Sequence, residues 1–195
     1  TGDHNDGNDP SVGSPNHLHV GDGLGGLATG VQIQPSENWL TFSIELGDLD
    51  GDGDLDIIEG NHPDANGLGG ETRIYWNDGS GSFSTPTLVT GSDATHKTVA
   101  LLVEDFDNDG DLDILEGNNN SLSGDATVGQ PKRLFINDGG GTFGTVVDIT
   151  PPEVERTYAL AAGDLNDDGI LDFVSANQTY DGPVGNEGSQ PVQGH

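Results

Sequence analysis

Asp48, Asp50, Asp52 and Asp56 stand at positions 1, 3, 5 and 9 of a loop whose sixth residue is Gly53. Alternate carboxylates aimed at one point, with a glycine permitting the sharp turn, wrap a hard cation in oxygen at about 2.3 to 2.6 Å. Asp105, Asp107, Asp109, Gly110 and Asp113 repeat the pattern, and Asp164, Asn166, Asp168, Gly169 and Asp172 keep its spacing with one charge fewer. Position seven is Asp54, Asp111 and then Ile170. Isoleucine has no side-chain oxygen, so this position is expected to ligate through its backbone carbonyl. Several carboxylates and a carbonyl in one all-protein cage suit calcium better than magnesium. The expectation is about three calcium ions, one per loop. Without a cation or protons, such crowded carboxylates repel one another strongly.

A solvated acidic turn holding no ion is the plainer alternative. Recurrence of the spacing three times, at periods of 57 and 59 residues, argues against it. A helical calcium hand is the other rival, because Glu59 and Glu116 fall at its position 12. Ser175 occupies that place in the third repeat, and the flanking residues do not follow a helical period.

The elements that must carry the loops are strands. Phe42, Ile44 and Leu46 alternate with Thr41, Ser43 and Glu45 ahead of the first loop, the period of a half-buried strand. Val99, Leu101 and Val103, then Tyr158, Leu160 and Ala162, hold the equivalent places. Short apolar pairs follow each loop and run to Asn61, Asn118 and Asn177. Two further strands are expected at 73–76 and 87–90, and again at 133–136 and 145–149, with Asn-Asp-Gly turns at 77–79 and 137–139. A worn copy of this outer pair opens at Asn16. Four short antiparallel strands per repeat describe a β-propeller blade. The fold class is therefore all-β: three tandem blades' worth of strands with calcium loops, in half-blade-permuted order. The expected boundaries are a flexible acidic arm at 1–15, a repeat domain at 16–177 and a Gly/Pro-rich tail at 178–195. Within the domain lie a half-blade at 16–33, blades at 37–90 and 96–149, and a half-blade at 156–176.

Composition narrows the function. The 195 residues carry 34 Asp and Glu against 5 Lys and Arg, a net charge of −29, which argues against a nucleic-acid partner. Hydrophobic residues make up only 31%, too thin for a large core unaided, so something besides apolar burial must hold the chain together. Cysteine is absent, which removes disulfides, thiolate metal sites and cysteine nucleophiles. No apolar run reaches the roughly 18 to 20 residues of a membrane span. The sequence starts at Thr1 and holds no Met, as expected of either a mature secreted protein or an internal fragment.

The loops at 48–56, 105–113 and 164–172, with the Asn-Asp-Gly-x-Gly-x-Phe elements at 77–83 and 137–143, resemble the FG-GAP or VCBS repeat family, also seen in integrin-α-type propellers. The resemblance covers about residues 16 to 177. It implies an extracellular or cell-surface protein of structural, adhesive or carbohydrate-associated role, whose calcium is architectural. Propellers close with four to eight blades, and this chain supplies three.

Other signals are weaker. His17 and His19 alternate along a strand and read as solvent-facing filler before they read as metal ligands. Arg73 and Arg133 share one repeat position and are expected to neutralise nearby acids, with carbohydrate contact second. The sequons at Asn119 and Asn177 are read with Asn177 in a turn role first. No catalytic set stands out, so the chain is expected to be non-enzymatic. Trp39 and Trp76 occupy different repeat positions, which weakens a lectin reading. The outer strands of the first half-blade complement the inner strands of the last, so the expected partner is a second copy, joined head to tail into a filament or ring. The alternative is a fragment of a larger secreted adhesion or carbohydrate-binding propeller that meets a sugar or a cell-surface protein.

Overall fold

The computed structural model describes residues 14–33, 39–63, 69–119, 130–149 and 155–179. The remaining residues, which include most of the acidic arm and of the C-terminal tail, lie outside the described set. The described elements are β1 (His17–Leu18), β2 (Val31–Gln32), β3 (Leu40–Gly47), β4 (Asp56–His62), β5 (Arg73–Tyr75), β6 (Thr87–Leu88), β7 (Lys97–Glu104), β8 (Asp113–Asn119), β9 (Lys132–Asn137), β10 (Phe143–Ile149), β11 (Glu155–Gly163) and β12 (Asp172–Thr179). Among the described residues no helix is long and apolar enough to cross a membrane.

All pairings are antiparallel between chain neighbours. Four-stranded sheets run β3-β4-β5-β6 and β7-β8-β9-β10, while β1-β2 and β11-β12 are two-stranded. Registers repeat from sheet to sheet: Ile58 faces Ile74 as Leu115 faces Leu134. Each first strand shifts register at one equivalent place, between Thr41 and Ser43, Thr98 and Ala100, and Thr157 and Ala159. A bulge there adds local twist. β5 and β6 are shorter than the expected 73–76 and 87–90. Past Tyr75 the pairing thins to a single bridge, Asn77 with Phe83, and Val89 instead donates its N–H to the Thr72 carbonyl at 3.0 Å.

The core is the seam between the two four-stranded sheets. Leu49, Ile58, Ile74 and Val89 pack with Leu101, Ile114, Phe135 and Phe143, and Trp76, Val103 and Leu112 close its margins. Glycines set the approach. A Cβ on Gly60 would lie 2.7 Å from Thr98 Cγ2 and 3.2 Å from Leu101 Cγ. On Gly117 it would lie 2.7 Å from Thr157 Cγ2 and 3.1 Å from Leu160 Cδ1. First strands therefore lean on the second strand of the preceding sheet.

The alternation in β3 is correct in period and reversed in burial. Phe42, Ile44 and Leu46 are exposed, and Thr41, Ser43 and Glu45 are half-buried. The equivalent Leu101 is buried because β4 lies in front of it. Among the described residues no preceding inner strand lies in front of β3, so its apolar row is left open.

Candidate metal centre

Each acidic loop joins the first strand of a sheet to the second, and its conformation follows from local hydrogen bonding. Positions 4 and 6 take positive φ in all three copies: Gly51 76° and Gly53 96°, Asn108 67° and Gly110 101°, Asp167 61° and Gly169 83°. Glycine, asparagine and aspartate tolerate that region best. The position-one carboxylate then gathers the loop's amides. Asp48 accepts from Gly51 N at 2.9 Å and Gly53 N at 3.0 Å, Asp105 from Asp109 N at 3.1 Å and Gly110 N at 3.0 Å, and Asp164 from Asp168 N at 3.2 Å and Gly169 N at 2.8 Å. Position five accepts from position seven, through Asp52 to Asp54 N, Asp109 to Asp111 N and Asp168 to Ile170 N.

Position nine fastens the loop to its sheet. Asp56 accepts from Leu49 N at 3.0 Å and from Asn77 N at 2.9 Å; Asp113 accepts from Phe106 N and Asn137 N, each at 2.9 Å. Both carboxylates are buried. Burial pushes them above the usual carboxylate range, the donated N–H groups pull them back, and neighbouring acids push again: Asp50 and Asp52 on Asp56, Asp107 on Asp113. Asp107 is also raised, by desolvation first and then by Asp109 and Asp105. Asp164 is lowered, chiefly by the Gly169 N–H.

Oxygens converge in two loops. Asp48, Asp50 and Asp56 each offer one oxygen within 4.8 Å of the others, and so do Asp105, Asp107 and Asp109. Ligands at about 2.4 Å from a shared calcium stand no farther apart than that. Among the described residues the third loop brings together no such acidic trio, and its position three is the neutral Asn166. The position-seven side chains turn away from the trios. The Asp54 carboxylate occupies the space a Cβ on Gly79 would need, and Asp111 lies 3.1 Å from the same point on Gly139, both in the Asn-Asp-Gly turns.

Glu59 and Glu116 do not join the loops. Glu59 accepts from Tyr75 Oη at 3.0 Å and from the Asn16 amide, while Glu116 accepts from the Thr72 hydroxyl and from Asn118 Nδ2 at 3.4 Å. Both are buried in second strands, which removes the helical-hand reading. Arg73 bonds the Glu71 carboxylate at 2.9 Å and stands 3.7 Å over the Trp39 ring; Arg133 bonds Asp148 at 2.9 Å. His17 and His19 sit with ring centroids 6.5 Å apart. Asn177 accepts from the Thr157 hydroxyl at 3.1 Å, as Asn61 does from Thr41 and Asn118 from Thr98. Sequence reasoning passed over the position-four residues, although Gly, Asn and Asp in one loop place is a left-handed signal. It read Asn137 as a turn residue alone, whereas its Nδ2 donates to Leu49 O at 2.8 Å and Leu112 O at 3.1 Å and ties one sheet to the next.

The model of the FG-GAP-like repeat matches residues 65–116 and 122–175, more than half of the chain. Both matches end on a second strand, β8 or β12, so the family unit bridges two sheets. A search of curated proteins gave no match. Similar solved structures include a lectin from Agrocybe aegerita described as recognising non-reducing terminal N-acetylglucosamine, with a TM-score of 0.35 and 16% identity. The alignment covers 84% of this chain and 55% of the lectin, so the chain spans little more than half of that protein's length.

Proposed function

This chain belongs to the FG-GAP-like repeat family, and from that premise we propose that it is a calcium-stabilised, extracellular, non-enzymatic structural module that joins end to end with copies of itself. Calcium, when bound, supplies the positive charge that lets clustered carboxylates stay ionised. Asp48, Asp50, Asp52 and Asp56 would hold it in the first loop, Asp105, Asp107, Asp109 and Asp113 in the second, and Asp164, Asn166, Asp168 and Asp172 in the third. The backbone carbonyls of Asp54, Asp111 and Ile170 would complete each set. The donor set fits, being all oxygen and mostly carboxylate, with no nitrogen or sulfur to favour a softer metal.

The single observation that carries the reading is the pair of converging acidic trios, each placed between the first two strands of a four-stranded sheet. The two-stranded sheets support the assembly part: residues 16–33 read as the outer pair of one blade and 156–176 as the inner pair of another. Exposed strand edges are rarely left bare, and strand addition between copies satisfies them. Chelator titration followed by circular dichroism tests the calcium part. An ion held at 100 times its dissociation constant adds about 2.7 kcal/mol, so removing several should lower the melting temperature steeply. An unchanged melting temperature would refute it.

A further inference from the structure

Successive sheets repeat one set of contacts, and that set is left half-made at two places. Between the four-stranded sheets, a Cβ on Gly47 would lie 2.7 Å from Val103 Cγ1 and 3.1 Å from Leu112 Cδ1. Leu49 is sealed there at 1% exposure, under the Asn137 amide. Two repeats on, Gly163 stands at the place of Gly47, with nothing within 4 Å of its Cβ position, and Leu165 stands at the place of Leu49, 68% exposed. Val174, the counterpart of the fully buried Ile58 and Leu115, is 56% exposed. The β11-β12 sheet thus presents the receiving half of a contact.

The inserting half is presented by β3. Its Leu46 and the nearby Leu55 are the counterparts of Val103 and Leu112, and both are exposed. Ile44 is 46% exposed where its counterpart Leu101, packed against Gly60, is 3% exposed. Asn77 Nδ2, the counterpart of Asn137 Nδ2, bonds only its own sheet's Leu55 O, at 3.0 Å. The edges match too. β4 pairs β5 and β8 pairs β9 in one register, which transfers to β12 and β1 as Phe173 with His19, Val174 with Leu18 and Ser175 with His17.

We infer that the open face of β11-β12 seats β3 of a second copy, Leu46 and Leu55 filling the space over Gly163, while β1 of that copy adds to β12 in this register. Ala176 stands where Gly60 and Gly117 have no Cβ, so Thr41 and Ile44 sit farther from β12 than Thr98 and Leu101 do from β4. The inference rests on the end-to-end reading and specifies its joint. Each copy grips the next twice, through a strand edge and through the face of the following sheet. The same chain's β3 is the poorer occupant, because closing the described sheets on themselves would make a three-bladed ring and propellers use four to eight blades.

The chain has no cysteine, so engineered pairs report without background. A Cβ on Gly47 lies 3.8 Å from Val103 Cβ, within the span of a disulfide. Gly47→Cys with Val103→Cys should therefore close within one chain and serves as the positive control. The full chain carrying Leu46→Cys and Gly163→Cys, oxidised mildly in millimolar calcium, should give a non-reducing ladder at multiples of 20.2 kDa that reductant collapses. A compact oxidised monomer would mean self-closure and overturn the inference. Absence of the ladder while light scattering shows assemblies would place the joint elsewhere and leave the end-to-end reading standing. Absence of both would remove that reading as well. Leu46→Glu, a change at an exposed site, should keep the wild-type melting curve and raise the concentration needed for assembly at least tenfold; assembly at the wild-type concentration would overturn the joint.

Discussion

Glu116 is a strongly perturbed acid, and replacing it with glutamine isolates its effect. Its carboxyl is sealed in β8 under the Thr72 hydroxyl and the Asn118 amide, and burial pushes it from 4.5 up to about 7 against those hydrogen bonds and the Arg133 charge. Between pH 4.5 and 7 the folded chain therefore holds a proton that the unfolded chain has released. Stability falls as pH rises through that window and levels off above it. A shift of this size corresponds to a loss on the order of 3 kcal/mol, of which about 2 kcal/mol falls between pH 5 and 7.5. A glutamine side chain cannot ionise, so Glu116→Gln should be spared that loss. Urea unfolding of both proteins at fixed saturating calcium, at pH 5 and pH 7.5, measures the gap, because the calcium loops titrate alike in each and cancel. The gap should widen by about 2 kcal/mol in favour of the variant at the higher pH. Parallel pH curves for the two proteins would refute the reasoning.

Two further substitutions test the site and the seam. Asp50→Asn gives the first loop the position-three amide of the third and should weaken its calcium affinity in calorimetry, since affinity follows ligand charge; undiminished affinity would count against the ligand assignment. Leu101→Ala should cost about 2 to 5 kcal/mol in thermal or urea unfolding, because it empties the space against Gly60, whereas Ile44→Ala, its exposed repeat counterpart, should move the isolated chain by less than about 0.5 kcal/mol.

Much of this was legible in the sequence because the repeats restate it. Asp48, Asp105 and Asp164 head loops of one spacing, and the period-two rows ahead of them announce strands. What the rows could not state is which face a strand buries. Phe42, Ile44 and Leu46 read as inward, yet burial depends on what lies in front of a strand, and among the described residues β3 has no preceding inner strand there. Glu59 and Glu116 fall at the twelfth place of a helical hand, and only Ser175 and the period-two flanks speak against that reading, because spacing alone does not separate a twelfth loop position from the fourth residue of a strand. Their pairing with Tyr75, Asn16 and Thr72 depends on strands brought together from outside the repeat's local window. The bulges at Phe42, Val99 and Tyr158 were hidden for a similar reason, since an extra residue disturbs a ladder without disturbing composition.

End-to-end growth held by calcium is tested most directly by negative-stain electron microscopy of the purified chain at micromolar concentration, in millimolar calcium and again after chelation. Filaments or closed rings are expected with calcium, and their loss without it. A monodisperse 20.2 kDa monomer in both conditions would contradict it.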